Sequence, residues 1–268
     1  MQSLEYLHMA VMACYLLGTI LFFFGVFAGR EPLRRLAGLA ALAGFGLHSV
    51  DLGAMLAISD AALLGGKFHV SFLAWAMLAT WFFLWWKFRS RYLGLTALPL
   101  ALLLFISSLA AGGIRVTIPP RFTALFFGLH VGSLAVSLGL MALALGAGIT
   151  WLNLNKKLKS KEALRKLDGG LPSLAIFDSI NHWAIAIGFP LYTLGVCSSF
   201  VWYWIDPEKT FSWDAMKFNS LGVWLLFAFA FHQRVMLGWK GRKPALLAIC
   251  IFFFLVISLA HHTISFKP

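Results

Sequence analysis

Charged residues are scarce in this sequence. Asp, Glu, Lys and Arg make up 12% of the 268 residues, whereas soluble globular domains average about 25%. Hydrophobic residues make up 60% of the chain and occur in long runs. A soluble fold has too little interior to bury so much apolar surface. The composition excludes a soluble domain and predicts an all-α, polytopic membrane helix bundle.

Cysteine is also rare, and the three cysteines stand far apart, at Cys14, Cys197 and Cys250. Because there is no CxxC motif, we expect neither a disulfide framework nor a thiolate metal site. The P-loop, GxGxxG and HExxH patterns are missing as well, which removes the usual nucleotide and zinc signatures. Acidic residues number 10 against 22 basic ones. The basic residues lie between apolar runs and form no separate domain, so we do not expect a nucleic-acid partner.

Eight apolar segments are long enough to cross a bilayer, which takes about 20 helical residues. They cover residues 7–28, 36–58, 69–88, 92–112, 124–152, 176–204, 218–237 and 245–264. The first segment is too long for the apolar part of a signal peptide and is interpreted as a retained helix. No linker or change of composition separates the segments, so we expect a single transmembrane domain over 1–268.

Basic residues are distributed unevenly between the two ends of these segments. Sixteen of the 22 lie in loops that follow odd-numbered segments, and an excess of Lys and Arg marks the cytoplasmic side. Both termini are therefore predicted to lie outside, together with the aromatic stretch at 201–213. The most basic loop, at 156–166, is interpreted as a cytoplasmic anchor or as a docking site for a cytoplasmic partner.

Histidine is uncommon in membrane spans, where an ionisable side chain is a candidate functional residue. The predicted outer group contains His8, His69, His130, His261 and His262, and the inner group contains His48, His182 and His232. His8 and His69 are expected to be structural, because they start helices at the interface. His48 has the alternative of a bond to a neighbouring helix, with Asp51 one turn away.

The outer histidines lie near an unusually aromatic segment. His130 opens a long predicted helix, and the pair His261–His262 closes the last one. The segment VWYWIDPEKTFSW contains Trp202, Trp204, Asp206 and Trp213. Imidazoles beside indole rings suit a flat aromatic ligand with iron at its centre, since neutral imidazole binds iron and indoles stack on a macrocycle. The alternative is an interfacial aromatic belt.

Three stretches of the second half resemble the cytochrome c assembly proteins of the CcsA, CcmC and HemX type. HWAIAIGFPLYTLG at 182–195 is similar to the helix that leads into the family's tryptophan-rich WWD segment, and VWYWIDPEKTFSW is similar to that segment. HQRVMLGWKGRKPALLAI at 232–249 is similar to the family's H-x-R and Gly-Trp-x-Gly-Arg turn. The resemblance is strongest over 124–268. The order Glu208-Lys209 reverses the family pattern, so a reduced, HemX-like branch is predicted.

The resemblance implies that the chain binds haem, taken as haem b, under the outer aromatic segment. The outer cofactor-binding residues that it implies are His130, His261, His262, Trp202, Trp204, Asp206 and Trp213. His130, with His261 or His262, would supply the axial ligands of the iron. Some members hold a second haem within the membrane. His232 matches such a position, and His48 and His182 are further candidates by depth.

The leading prediction is a haem-handling integral protein of cytochrome c biogenesis in the bacterial cytoplasmic (inner) membrane. Its expected partners are the lipid bilayer, an apocytochrome c and other cytochrome c assembly proteins. No nucleophile or general base stands out, so we expect a component of a haem lyase system rather than a stand-alone enzyme. The alternative is a HemX-like regulator or scaffold that acts on a cytoplasmic haem-synthesis enzyme through the basic loop. A permease is a third interpretation, and it would need more intramembrane charge than Asp51 supplies.

Overall fold

The computed structural model describes residues 2–58, 65–88, 92–111, 122–159, 173–205 and 213–265. Throughout these ranges the chain is organised almost entirely as α-helices, with two π-helical turns. The predicted all-α class is therefore confirmed. Helices are the expected structure for segments this apolar, because each helix satisfies its own backbone hydrogen bonds.

The first of two compact units comprises Met1–Ala135. Its elements are α1 (Gln2–Phe27), α2 (Glu31–Ile58), α3 (Gly66–Phe88), α4 (Gly94–Ala110), the four-residue α5 (Thr123–Phe126) and a π-helical turn at Phe127–Gly132. α1 packs most extensively on α2, α3 packs on α4, and α4 also contacts α1. Glycine permits the close approach of α1 and α2, since a Cβ on Gly44 would lie 2.7 Å from the Tyr15 ring.

The second compact unit comprises Val136–Pro268. Its elements are α6 (Ser133–Lys159, of which the first three residues belong to the first unit), α7 (Leu174–Ile205), α8 (Ala215–Phe231), a π-helical turn at His232–Met236 and α9 (Arg242–Ser265). α8 packs against both α7 and α9. The Ser137 hydroxyl of α6 donates to the Gly188 carbonyl of α7 at 2.8 Å. Gly148 of α6 faces α9, where an added Cβ would lie 2.9 Å from the Ala245 carbonyl oxygen.

Each predicted apolar segment coincides with helical structure. Five helical stretches among the described residues are long and apolar enough to cross a membrane: Leu4–Phe27, Glu31–Ala57, Gly66–Phe88, Ala124–Lys159 and Leu174–Val201. The apolar helix α4 is shorter. Helix length and composition thus support a multi-pass membrane protein. The count of eight spans, the outward placement of both termini and the single domain over 1–268 stay predictions.

Two helix ends differ from the predicted spans by six residues or more. The fifth span was predicted to end at 152, but α6 continues to Lys159, because Lys, Asn and Leu can extend a helix beyond the apolar run. The seventh span was predicted to run to 237, but the α-helix ends at Phe231 and gives way to a π-helical turn. The chain reverses there at Gly238, whose φ is +67°. Hydropathy marks where a chain is apolar, whereas turn geometry decides where the helix ends.

Candidate functional site

Residues 232–241, referred to below as the inner turn, connect α8 to α9. They carry the H-x-R and Gly-Trp-x-Gly pattern of the sequence. Gly238 and Gly241 have φ values of +67° and +77°, a left-handed conformation that costs other residues roughly 1–2 kcal/mol. The Trp239 N–H donates to the Gln233 carbonyl at 3.0 Å and closes the turn. The two glycines of the pattern are therefore required by the backbone of this turn.

Arg234 ties the inner turn to α7. Its buried guanidinium pairs with the Asp178 carboxylate at 2.8 Å and 3.2 Å. It also donates to the backbone carbonyl of Asp178 at 2.6 Å and to that of Trp239. The Gly241 N–H in turn donates to Asp178 at 2.8 Å. A bidentate pair with these additional bonds offsets the desolvation of both charges and holds the turn in one geometry.

His232 is the first residue of the inner turn, and its side chain is exposed. It begins the π-helical turn His232–Met236, a form of helix that occurs frequently at functional sites. The Leu237 N–H donates to the His232 carbonyl at 3.2 Å, and Arg234 anchors the same turn. The imidazole of His232 therefore stands on a fixed backbone and is accessible to a ligand. A neutral imidazole in this setting is suited to binding iron.

His182 lines a cavity of about 540 Å³ in the second unit. The cavity is also lined by Trp151, Leu174, Ala175, Asp178, Ser179, Trp183, Arg234, Trp239, Lys240 and Gly241. Its volume falls within the range of about 300–1,000 Å³ that is typical of small-molecule sites. Indole walls and cationic groups together favour a ligand that is both apolar and negatively charged. Of the predicted inner histidines, this cavity includes His182, whereas His232 and His48 are not among the residues that line it.

His130 lies in the first unit, in the π-helical turn Phe127–Gly132. Its half-buried ring stacks on Phe126, with the ring centroids 4.8 Å apart. The Ser133 hydroxyl donates to the carbonyls of Leu129 and His130, the latter at 3.3 Å. Such bonds supply partners to carbonyls whose regular helical pairing is displaced in a π turn. Two predicted ligands, His130 and His232, thus occupy the two π-helical turns of the described residues.

His48 is fully buried, and both of its ring nitrogens are engaged. The Tyr15 hydroxyl lies 2.9 Å from Nδ1 and the Ser71 hydroxyl lies 2.8 Å from Nε2. Iron coordination would break one of these buried bonds, so the alternative of bonding to neighbouring helices fits this residue better. The prediction that Asp51 is the partner of His48 is wrong. The Asp51 carboxylate lies 3.0 Å from Nε2 of His8, which α1 brings to it. The hydroxyls that bond to His48 come from Tyr15 of α1 and Ser71 of α3.

Most of the predicted outer site lies outside the described residues. The side chains that the structure does not describe are those of Trp202, Trp204, Asp206, His261 and His262. The backbone of 202–205 and of 261–265 is helical. Trp213 is described, and its exposed ring stacks on Phe218 with the centroids 5.2 Å apart. Asp214 caps α8 by accepting from the Lys217 N–H at 2.8 Å, as short polar residues do at helix starts.

Sequence reasoning overlooked Asp178. Asp51 was predicted to be the intramembrane charge, although Asp178 also lies within a predicted span. A carboxylate inside an apolar run usually has a basic partner. Arg234, near the end of the following predicted span, could have indicated that Asp178 is paired. Trp151 had no such signal, because a lone tryptophan at the end of an apolar run is also typical of an interfacial anchor.

The chain matches known proteins over most of its length. A family model described as "Cytochrome C assembly protein" matches residues 67–261. The cytochrome c biogenesis protein CcsA of Pyropia yezoensis is 25% identical over 287 aligned residues, which cover 90% of this chain and 87% of that protein. CcsA of Porphyra purpurea is 24% identical, with coverages of 87% and 86%. CcsA of Trichodesmium erythraeum is 42% identical over 73 residues, or 27% of this chain and 21% of that protein.

The matched range includes His130, the cavity and the whole inner turn. It extends beyond the strongest part of the resemblance noted in the sequence, since it begins at residue 67 rather than 124. The match covers well over half of the chain, and the resemblance is confirmed. This chain belongs to the cytochrome c assembly protein family.

Proposed function

We propose that this chain handles haem for cytochrome c biogenesis within a membrane. The family match over 67–261 and the relatives named cytochrome c biogenesis protein CcsA support this proposal. The structural observation that carries it is the exposed His232, which stands on the inner turn held by Arg234 and Asp178. An imidazole with a fixed backbone and an open face is a suitable axial ligand for haem iron.

The residues of the second unit fit the chemistry of the proposed cofactor. When bound, haem supplies a redox-active iron and vinyl groups to which cysteine thiols can be attached. His232 would hold the iron, and the inner turn would keep its imidazole in one orientation. The Asp178–Arg234 pair acts through the backbone of the inner turn and is therefore a positioning pair. Positioning and exclusion of water are the contributions that we assign to this protein.

The outer ligand set stays a prediction from the sequence. We propose His130, with His261 or His262, as the axial ligands of an outer haem under the aromatic segment that contains Trp213. The half-buried ring of His130, stacked on Phe126 in a π-helical turn, supports its part in this proposal. His182 stays a prediction from the sequence and is not part of the proposed set, because the cavity that it lines does not include His232. His48 is left out of the proposed set, because both ring nitrogens are hydrogen-bonded.

Several finer statements also stay predictions. They are the identity of the cofactor as haem b, the bacterial cytoplasmic membrane, the apocytochrome c partner and the HemX-like branch. The relatives reported above carry the name CcsA, which favours biogenesis over a HemX-like regulator. The regulator hypothesis depends on the basic loop at 156–166, and its residues from 160 onward lie outside the described part of the chain.

Absorption spectroscopy of the purified protein tests this function. The wild type should show a low-spin haem spectrum in the reduced and oxidised states. His232→Ala should remove the inner haem, and the triple variant His130→Ala, His261→Ala, His262→Ala should remove the outer one, each measured as haem per protein. His69→Ala, at a position predicted to be structural, is the matched control and should keep both. A wild type that binds no haem after loading would refute the proposal.

A further inference from the structure

The cavity of the second unit lies at the ends of its helices rather than between their middles. Its lining comes from the end of α6, the start of α7 and the inner turn between α8 and α9. The four apolar runs of this unit stop or start close to these elements, at 152, 176, 237 and 245. In a bilayer, such positions correspond to the level at which hydrocarbon gives way to lipid headgroups.

The charged groups that line the cavity do not balance. Asp178 and Arg234 neutralise each other at 2.8 Å. Lys240 is exposed, and no carboxylate among the described residues pairs with it. The hydroxyl of Ser179 and the imidazole of His182 add hydrogen-bonding groups to the same lining. One uncompensated positive charge with polar neighbours favours a ligand that carries one negative charge.

The remaining walls are mainly indole rings. Trp151, Trp183 and Trp239 line the cavity. The Lys243 ammonium lies 4.6 Å from the centroid of the Trp239 ring, a cation–π contact that adds positive charge near the cavity. An added Cβ on Gly241 would lie 3.1 Å from Trp151, so the glycine lets this ring pack against the inner turn. Tryptophan is the residue that prefers the boundary between headgroups and hydrocarbon.

We propose that this cavity binds the headgroup of an anionic phospholipid. Lys240 meets the phosphodiester, Ser179 and His182 donate hydrogen bonds to its oxygens, and the indoles contact the glycerol and the first acyl carbons. Basic pockets between transmembrane helices are known settings for anionic headgroups. A zwitterionic lipid has no net charge to balance Lys240.

Lipid binding to the purified full-length protein tests the proposal. The protein is stripped of lipid in detergent, and phosphatidylglycerol and phosphatidylcholine with the same acyl chains are added in separate titrations. Binding is followed by native mass spectrometry and by tryptophan fluorescence. We expect the wild type to prefer phosphatidylglycerol. Lys240→Gln should reduce this preference about fivefold, the effect of one lysine at an anionic lipid surface.

Lys156→Gln is the matched control. Lys156 is exposed, lies near the same end of the second unit and does not line the cavity, so its removal changes net charge equally. This variant should keep the wild-type preference. An equal loss in both variants would overturn the proposal in favour of a diffuse basic surface. Equally tight binding of glycerol phosphate without acyl chains would overturn it in favour of a soluble phosphate ester. Stoichiometric displacement of phosphatidylglycerol by haem, with loss of haem in Lys240→Gln, would overturn it in favour of a haem site.

Discussion

Arg234 is the residue on which the geometry of the inner turn most depends. Its side chain is 3% exposed and makes two bonds to one carboxylate and two to backbone carbonyls. The planar guanidinium supplies these donors in a fixed fork, which a lysine ammonium does not. A single side chain thereby joins α7 to the turn that carries His232.

Loss of the carboxylate should be costly. Asp178→Ala leaves the Arg234 guanidinium buried without its counter-charge, and breaking a buried pair in this way costs about 3–5 kcal/mol of unfolding free energy. Glu5→Ala is the control, because Glu5 is an exposed carboxylate in the first turn of α1, where a surface substitution changes stability by about 0.5 kcal/mol or less. Unfolding in mixed micelles measures both. Equal losses in the two variants would show that Arg234 does not depend on Asp178.

His48 should matter for stability and not for haem. His48→Ala removes the partner of Tyr15 and of Ser71 inside the first unit. Each buried hydroxyl left unsatisfied costs about 1–3 kcal/mol. We therefore expect a lower free energy of unfolding together with an unchanged ratio of haem to protein in the absorption spectrum. A lower haem ratio at full stability would instead make His48 a ligand.

At the scale of elements, small residues decide which helices meet. Gly148 of α6 brings its backbone against Ala245 of α9, with room for no side chain. Gly222 of α8 has nothing within 4 Å of its Cβ position, so its role is not steric.

The two π-helical turns are the other element-scale feature. They displace the regular hydrogen bonding at His130 and His232, the positions where the family resemblance predicts ligands.

For Gly148 and Gly222, we predict opposite effects of the same substitution to alanine. Gly148→Ala overpacks the contact between α6 and α9, which costs about 1–3 kcal/mol and outweighs the gain in helix propensity. Gly222→Ala meets no neighbour, so the gain in propensity of up to about 1 kcal/mol should leave the protein equally stable or more stable. Thermal unfolding in detergent compares the two. Destabilisation of both variants by the same amount would contradict this packing argument.

At the scale of the molecule, the chain forms two compact units of similar size, Met1–Ala135 and Val136–Pro268. The first is built around buried aromatic rings and a polar group of His8, Asp51 and His48. The second carries the inner turn and the Trp-lined cavity. The functional residues that the structure describes best are thus concentrated in the second unit, which is also where the sequence motifs were clearest.

The distribution of basic residues predicts how the whole chain crosses the membrane. In a background without the three native cysteines, Trp213→Cys should react with a membrane-impermeant maleimide in intact cells. Lys157→Cys should react only after lysis. Both positions are exposed, so accessibility within the fold does not separate them. The opposite labelling pattern would reverse the predicted orientation.

The length of each apolar run and the side that holds its lysines are local properties, so the sequence alone was enough to predict them. The helical class, the positions of the apolar helices and the family resemblance follow from such stretches. The inner turn is also marked in the sequence, by the glycines at 238 and 241 and by the H-x-R pattern.

Contacts between distant residues required the tertiary structure. Arg234 and Asp178 are 56 positions apart, and Tyr15 and His48 are 33 apart. Many side chains could satisfy each buried group, and hydropathy does not say which helices meet. The fold decided that Asp51 pairs with His8 and that both ring nitrogens of His48 are hydrogen-bonded. It also decided that indoles from three elements line one cavity. The physical reason is that the cost of burying a polar group is set by its partner, and only packing determines that partner.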